Sequence, residues 1–331
     1  MDQQQSIQRL SPNPTVFSVA PMLDWTDRHC RYFHRLLSDK ALLYTEMVTT
    51  GAIMHGDKAR FLAFNAEEQP VAFQLGGSDP KALAICAHMI EQQGYAQVNL
   101  NVGCPSDRVQ NGTFGACLMA KPDLVAECVA AMQQACTIPV TVKTRIGIDA
   151  MERYDEFKTF IDIVAASGCN TFIVHARKAW LQGLSPKENR DIPPLRYDFV
   201  YRLKQEHPEL EIIINGGLND LATARAQLDH VDGVMLGRAV YHHPFLLADV
   251  DPLFYGIDRP AKSRHDVVEA LIPYIQQQLA KGLRLNHISR HILGLFHGEK
   301  GARLWRRHIS ENAHKPDADE RVILEALEFT R

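Results

Sequence analysis

Residues 140–175, VTVKTRIGIDAMERYDEFKTFIDIVAASGCNTFIVH, hold the pattern that decides the fold. Val140–Arg145 is a short run rich in β-branched residues, Tyr154–Ser167 spaces its apolar residues along one helical face, and Thr171–His175 is a second β-rich run. Strand, helix and strand in succession make a parallel pair, because parallel strands need a long crossover. Working outward, the same alternation fills residues 16–240. Further strands are expected at Val16–Ala20, Leu42–Glu46, Val71–Leu75, Gln97–Asn101, Glu211–Asn215 and Gly233–Leu236, and further helices over Pro80–Gln93, Pro122–Ala135, Tyr197–Glu206 and Asn219–Leu228. Eight such units close on themselves, so the reading is an α/β fold, a (β/α)8 TIM barrel. An open doubly wound sheet would carry a GxGxxG turn after its first strand, and VAPMLDWTD at 19–27 is not one. Past the barrel, Asp251–Pro260 reads as a linker and residues 261–331 have helical periodicity, with Pro273 near a helix start. The expected division is a catalytic barrel over 1–250 and an all-α helical domain over 251–331.

Composition narrows the class. Hydrophobic residues at 46% and charged residues at 23% are ordinary for a globular chain, which excludes disordered, collagenous and membrane proteins. No apolar run approaches the roughly 18 residues of a membrane span, and the opening MDQQQSIQRLSPNPT lacks the charged-then-apolar order of a secretion signal, so a cytoplasmic protein is expected. The seven cysteines are odd in number and form no CxxC pair, which argues against a disulfide framework and against a metal site; most should be buried, inert thiols. A net charge of −3 leaves nucleic-acid contact to a local basic patch.

Barrel chemistry sits at the carboxyl ends of the strands. Read off in order, those ends deliver Pro21, Met22 and Leu23; Glu46; Gln74; Asn101 with Cys104; Lys143 with Arg145; His175 with Arg177; Asn215, Gly216 and Gly217; and Gly237 with Arg238. Glycines after strands seven and eight are where barrels commonly hold a phosphate, with backbone N–H groups approaching its oxygens and Arg238 adding a charged fork. Tight βα turns alone would also use these glycines. Lys143 lies within a strand and calls for an anionic partner, since an unpaired buried ammonium is costly. A reduced flavin supplies one, with Gln74 at the pyrimidine edge of the ring, His175 donating to ring or phosphate, and Pro21, Met22 and Leu23 covering a face. A satisfied structural role remains open for His175. In Asn101-Val102-Gly103-Cys104-Pro105-Ser106, Gly103 and Pro105 flank the thiol in a turn that presents it at the mouth. Residue chemistry leaves it as nucleophile, metal ligand or proton donor.

The NxNxGCP segment, with Gly112, Gly115 and Ala116 behind it, resembles that of the tRNA-dihydrouridine synthases. PMLDWTD at 21–27, YTEM at 44–47, FQLGGSDP at 73–80, VKTRIGID at 142–149, FIVHAR at 172–177, INGG at 214–217 and LGRA at 236–239 are similar to the A branch of that family, and the resemblance spans about residues 16–310. It implies FMN as bound cofactor, held through Pro21, Met22, Leu23, Gln74, Lys143, His175, Asn215, Gly216, Gly217, Gly237 and Arg238. It also implies NADPH as reductant, an extruded uridine at position 20 or 20a of the tRNA D-loop as substrate, and Cys104 as the proton donor to C5 while hydride reaches C6. Asn101, three residues before the thiol, is expected to hold the uracil edge or ribose.

The basic patch is expected in the tail, where Lys281, Arg284, Arg290, Lys300, Arg303, Arg306 and Arg307 face only Glu299 as an opposing charge, with Trp305 among the last of them. Arg303 and Arg307 share a helical face with Arg306 adjacent, as phosphate tracking requires. A second RNA surface is expected in the loop after strand six, through Arg177, Lys178, Lys187 and Arg190. A monomer would leave both surfaces open. The rival readings are an FMN barrel dehydrogenase acting on a free pyrimidine such as dihydroorotate, which leaves the basic tail without a purpose, and a non-catalytic tRNA-binding module, which has no need of Cys104.

Overall fold

Every strand of the barrel pairs in parallel with its neighbours in sequence, and the first closes on the last. In the computed structural model, which describes residues 16–106, 113–257 and 260–331, the order is a closed β1-β2-β3-β4-β5-β6-β7-β8. The strands are β1 Phe17–Val19, β2 Leu42–Thr49, β3 Val71–Gly76, β4 Gln97–Val102, β5 Val140–Arg145, β6 Thr171–His175, β7 Glu211–Asn215 and β8 Gly233–Leu236. The barrel expected from the alternation is therefore present. β2 runs beyond its expected end at Glu46, since Met47, Val48 and Thr49 also pair with β3 after a bulge between Tyr44 and Met47 that adds a residue on the β2 side.

Successive side chains point to opposite faces of a strand, and the two faces have different chemistry here. The outer faces join the helices in one large core. The barrel interior carries its own small cluster of Ala20, Leu42, Tyr44, Ala72, Ile173, Ile213 and Met235. Beside it, Gln74 on β3, Gln97, Asn99 and Asn101 on β4 and Thr141 on β5 bring polar groups inward. Tyr44 donates to Gln97 Oε1 (3.1 Å), Thr141 donates to the same oxygen (3.1 Å), Asn99 donates to Thr141 Oγ1 (2.9 Å), Gln74 donates to Asn99 Oδ1 (2.8 Å) and Asn101 donates to Gln74 Oε1 (2.9 Å). Buried amides are tolerated because each finds its partner in the ladder.

The barrel floor is tied by arginines of the first helix, Arg28–Leu37. Arg35 donates to the carbonyls of Ser38, Ala41, Glu68 and Pro70, and Arg31 pairs with Glu68 at 2.6 Å with both side chains buried. Arg31 also donates to Thr26 O (2.8 Å), which holds the loop leading out of β1.

The tail is helical, as expected, with helices at Arg264–Ala280, Asn286–Ser289, Ala302–Asn312 and Arg321–Glu328. Two details differ from expectation. Asp251–Pro260 begins as the helix Val250–Tyr255, and Asp251 is fully buried, accepting from Ser38 Oγ (2.5 Å) and Asp39 N (2.7 Å), so this part of the expected linker is packed onto the barrel. Pro273 lies inside Arg264–Ala280, not near its start; the N–H it lacks would have bonded the carbonyl of Glu269, and both residues face solvent, so water can satisfy that oxygen. The tail docks through Tyr274, stacked on Tyr32 at 3.8 Å and bonded to His29 Nδ1 at 2.6 Å. Among the described residues no helix is long and apolar enough to cross a membrane.

Replacing Glu68 with alanine should leave the Arg31 guanidinium buried and unpaired, and should destabilise the protein by about 3–5 kcal/mol in urea unfolding. A loss below about 1 kcal/mol would show that water reaches this pair.

Candidate active site

Strand register gathers the mouth residues before any side chain is considered. Asn101 lies beside Lys143, Arg145 beside His175, and His175 beside Asn215 across β4 to β7. All four strands end at the same rim, so the expected residues after β1 and β3 to β8 come together there.

Cys104 stands on the turn after β4, partly exposed, and its Sγ donates to Ser106 Oγ at 3.6 Å. Five of the other six cysteines are buried, and burial pushes Cys86, Cys128 and Cys169 above the ordinary thiol range. What fixes the turn is the side chain of Asn101: its Oδ1 accepts from Gly103 N (3.1 Å) and Cys104 N (3.0 Å), while its Nδ2 donates to Gln74. Asn101, expected to hold the substrate, thus spends its oxygen on the thiol's own loop and retains one N–H. Gln74, expected at the ring edge, is likewise engaged with Asn99 and Asn101 and retains one N–H. Gly112 lies outside the described residues.

The second anchor is Arg145, named as a strand end but given no role by the sequence. It is buried, donates from Nε to Gly103 O (2.9 Å) and from Nη1 to Lys178 O (3.0 Å) and Asn189 O (3.0 Å), and so binds the cysteine turn to the β6 loop. The signal for it was available: Lys143 and Arg145 are two apart and must share the inner face of β5. Asn189, buried in the same loop, bonds Trp180 and Leu184 and was not foreseen, because nothing in its surroundings in the sequence marks it.

The rim is strongly cationic. Lys143 donates to Asn215 Oδ1 (3.1 Å), and among the described residues no carboxylate lies within ion-pair distance of it; burial, with the Arg145 charge beside it, pushes its pKa down to about 7. Burial and the charges of Arg145, Lys143, Arg177 and Arg190 hold His175 neutral, well below its ordinary range. Asn215 donates in turn to Met235 O (2.8 Å). Gly216 and Gly217 have φ of +107° and +73°, and a Cβ at Gly216 would stand 2.5 Å from His175 Cδ2. Only glycine fits there, so the backbone after β7 can approach a ligand closely. Arg177 bonds the Pro193 carbonyl, and its Nε is buried without a partner. Arg238 closes its fork on Asp191 (2.6 and 3.1 Å), an acidic partner the sequence reading did not name. Gly237 leaves Met22 within contact range, and Leu23 is 64% exposed beside it. A set of cations without enough carboxylates, a glycine cradle and amide N–H groups left over fit an anionic ligand with a polar-edged ring.

The outer basic residues divide. Lys187, Arg190, Arg303, Arg306 and Arg307 are exposed. Lys178 is not a free phosphate clamp as expected: its ammonium bonds Glu152 and Asp149 O and lies 3.8 Å from the Trp180 ring centroid. The tail meets more acidic partners than Glu299, because Arg290 pairs with Asp27 (2.8 Å) and Arg307 with Glu311 (2.8 Å), while Glu299 itself pairs with Arg264. Trp305 belongs to the core, fully buried against Phe296 and donating to Ile292 O. Among the described residues no three His, Cys, Asp or Glu side chains gather into a metal site.

Comparison with known proteins places this geometry. Solved structures of 2-naphthoyl-CoA reductase (TM-score 0.56, 10% identity, 71% of this chain and 49% of that one) and morphinone reductase (TM-score 0.52, 13% identity, 78% and 90%) share the fold. Far closer in sequence are proteins named tRNA-dihydrouridine(20/20a) synthase from Vibrio cholerae (61% identical, 94% of this chain and 95% of the relative), Shewanella oneidensis (62%, 93% and 92%) and Escherichia coli K12 (60%, 95% and 91%). The family model for dihydrouridine synthase matches residues 18–330, which take in the cysteine turn, the cationic rim and the helical tail alike, and the chain belongs to that family.

Proposed function

We propose that the chain is a cytoplasmic, monomeric tRNA-dihydrouridine synthase that reduces the C5=C6 bond of uridines 20 and 20a, with FMN as its cofactor and NADPH as reductant. The observation that carries the reading is the partly exposed Cys104 thiol, set by Asn101 and Arg145 beside a cationic rim where, among the described residues, no carboxylate neutralises Lys143. Close relatives named for this activity support it.

The rim residues suit FMN. Gly216, Gly217 and Gly237 offer backbone N–H groups to its phosphate, and Arg238 could turn from Asp191 to the same group. Lys143, held by Asn215, would meet anionic charge at the ring edge, with His175 neutral and Gln74 left one N–H to give. Pro21, Met22 and Leu23 would cover a ring face. When bound, the flavin supplies the hydride for uracil C6, having received it from NADPH.

The protein's own task is to place and protonate the base. Negative charge develops at C5 as C6 gains hydride, and Cys104 relieves it by giving its proton to C5. Asn101 holds the thiol's turn still, and its remaining N–H can meet a uracil carbonyl, so one side chain positions both partners. A stacked nucleotide cannot reach this mouth and must be extruded. The barrel over 1–250 would then be catalytic and the helical part over 251–331 would face the RNA, with Arg303, Arg306 and Arg307 from the tail and Arg177, Lys187 and Arg190 from the β6 loop meeting phosphates. Lys178 supports that loop through Glu152 instead of touching RNA.

Incubation with unmodified tRNA and NADPH should yield dihydrouridine from a yellow protein; a colourless protein that takes up no FMN would sink the reading. Cys104→Ala should still be bleached by NADPH and still bind tRNA, while dihydrouridine formation falls by about 10²- to 10⁴-fold. FMN affinity of the apoprotein should weaken as pH rises above 7. The lysine titrates near 7 when free, and an anionic ligand raises that value, so binding above pH 7 must take up a proton. Lys143→Gln should remove the dependence in a fluorescence titration.

A further inference from the structure

Reducing a C5=C6 bond adds one hydrogen as hydride and one as a proton. A nicotinamide reductant gives only the hydride, so the proton at C5 comes in the end from water. Once Cys104 has delivered that proton it is a thiolate, and it must be charged again before the next turnover. Some group has to stand between the sulfur and solvent.

The surroundings of the sulfur narrow the choice. Every backbone polar group of Gly103 and Cys104 is held: both N–H groups donate to Asn101 Oδ1, Gly103 O accepts from Arg145 Nε (2.9 Å) and Cys104 O accepts from Ala116 N (2.9 Å). With the backbone fixed, the freedom left to the thiol is rotation about the Cα–Cβ bond of Cys104. Among the described residues the sulfur has a single hydrogen-bond partner, Ser106 Oγ at 3.6 Å. Pro105 between the two has a fixed φ, which limits how far their side chains can swing apart. Lys143 lies within electrostatic reach of the sulfur, but its ammonium donates to Asn215 Oδ1 instead. Arg145 and Arg190 reach it electrostatically too, and a guanidinium does not give up its protons near neutral pH.

We propose that Ser106 is the proton relay of Cys104: its hydroxyl donates to the sulfur as the thiol proton leaves for C5, and then returns a proton from water to the thiolate. The inference rests on the reading of Cys104 as the acid of a uridine reductase. A hydroxyl suits the task because it both donates and accepts. It accepts from the resting S–H and, after a turn about its own C–O bond, donates to the thiolate, so the contact survives the change of charge. In the recharging step the O–H bond of Ser106 breaks as the S–H bond forms, and a solvent proton closes the O–H bond again. Both transfers go together, since a serine alkoxide is too basic to stand alone, and no electrons change hands between residues. Ser106 is half-buried, which keeps its oxygen within reach of water while one side faces the sulfur.

The test uses the FMN-loaded protein, whose flavin absorbance reports folding, with unmodified tRNA. Ser106→Ala removes the hydroxyl and little else, and Ser106→Thr keeps it. In the alanine variant NADPH should bleach the flavin at the wild-type rate and the KM for tRNA should be unchanged. Its kcat for dihydrouridine should fall about 10- to 100-fold, the size expected when a charged group loses its hydrogen bond. Threonine should bring kcat back to within a few-fold of wild type. Alkylation of Cys104 by iodoacetamide, followed on its own peptide so that Cys117 does not contribute, should slow several-fold in the alanine variant and recover in the threonine variant. An alanine variant with wild-type kcat overturns the relay. So does one in which only the KM for tRNA rises, which assigns the hydroxyl to the substrate, and so does a threonine variant as slow as alanine, which assigns the effect to shape. Wild-type protein that makes no dihydrouridine, or a Cys104→Ala variant that makes it at full rate, overturns the parent reading and the relay with it.

Discussion

The side-chain carbonyl of Asn101, accepting from two consecutive backbone N–H groups, is the contact on which the candidate active site depends. A thiol on a turn has no position of its own. Here its turn is the top of a ladder of amides and hydroxyls that begins at Tyr44 and Gln97 deep in the barrel and climbs through Thr141, Asn99 and Gln74. Each bond contributes only about 1 kcal/mol net, but leaving any member unpaired in the interior costs more, so the ladder is satisfied as a whole or not at all. Position is thereby transmitted from a rigid barrel wall to a loop, and Arg145 fixes the other side of that loop through Gly103 O.

Charge completes what the ladder arranges. Lys143, Arg145, Arg177 and Arg190 surround His175, and Asp191 beside them is already taken by Arg238. Burying these groups, and then crowding cations around them, is unfavourable in the free protein, and the pKa values of Lys143 and His175 are lowered by burial first and by the neighbouring cations second. That cost is offset when an anionic ligand enters, so the same feature that weakens the empty rim strengthens binding.

The tail is built into the barrel and not hung from it. Asp27 caps the first barrel helix through Oδ1 and receives Arg290 and His291 through Oδ2, so one carboxylate holds the β1 loop and the tail together. With Asp251 buried under the barrel floor and Tyr274 stacked on Tyr32, the basic surface of the tail is held at a set distance from the thiol. A proton donor and a distant phosphate contact can cooperate only if that distance does not wander.

Much of this was legible along the chain. Strand limits at Val140–Arg145 and Thr171–His175 follow from local composition and period, since a strand's pattern is a property of consecutive residues. The glycines after β7 and the cysteine between Gly103 and Pro105 were visible for the same reason. Hydrogen-bond partners were not visible. Nothing near Asn101 says that its oxygen turns back to its own loop, nothing near Lys178 names Glu152, and Arg238 meets Asp191 from 47 residues away. Sequence alone determined the alternation, the rim positions and the family; tertiary structure alone decided which polar groups are consumed in holding the site and which remain for a ligand, because a hydrogen bond is set by distance in space and the chain records only distance along itself.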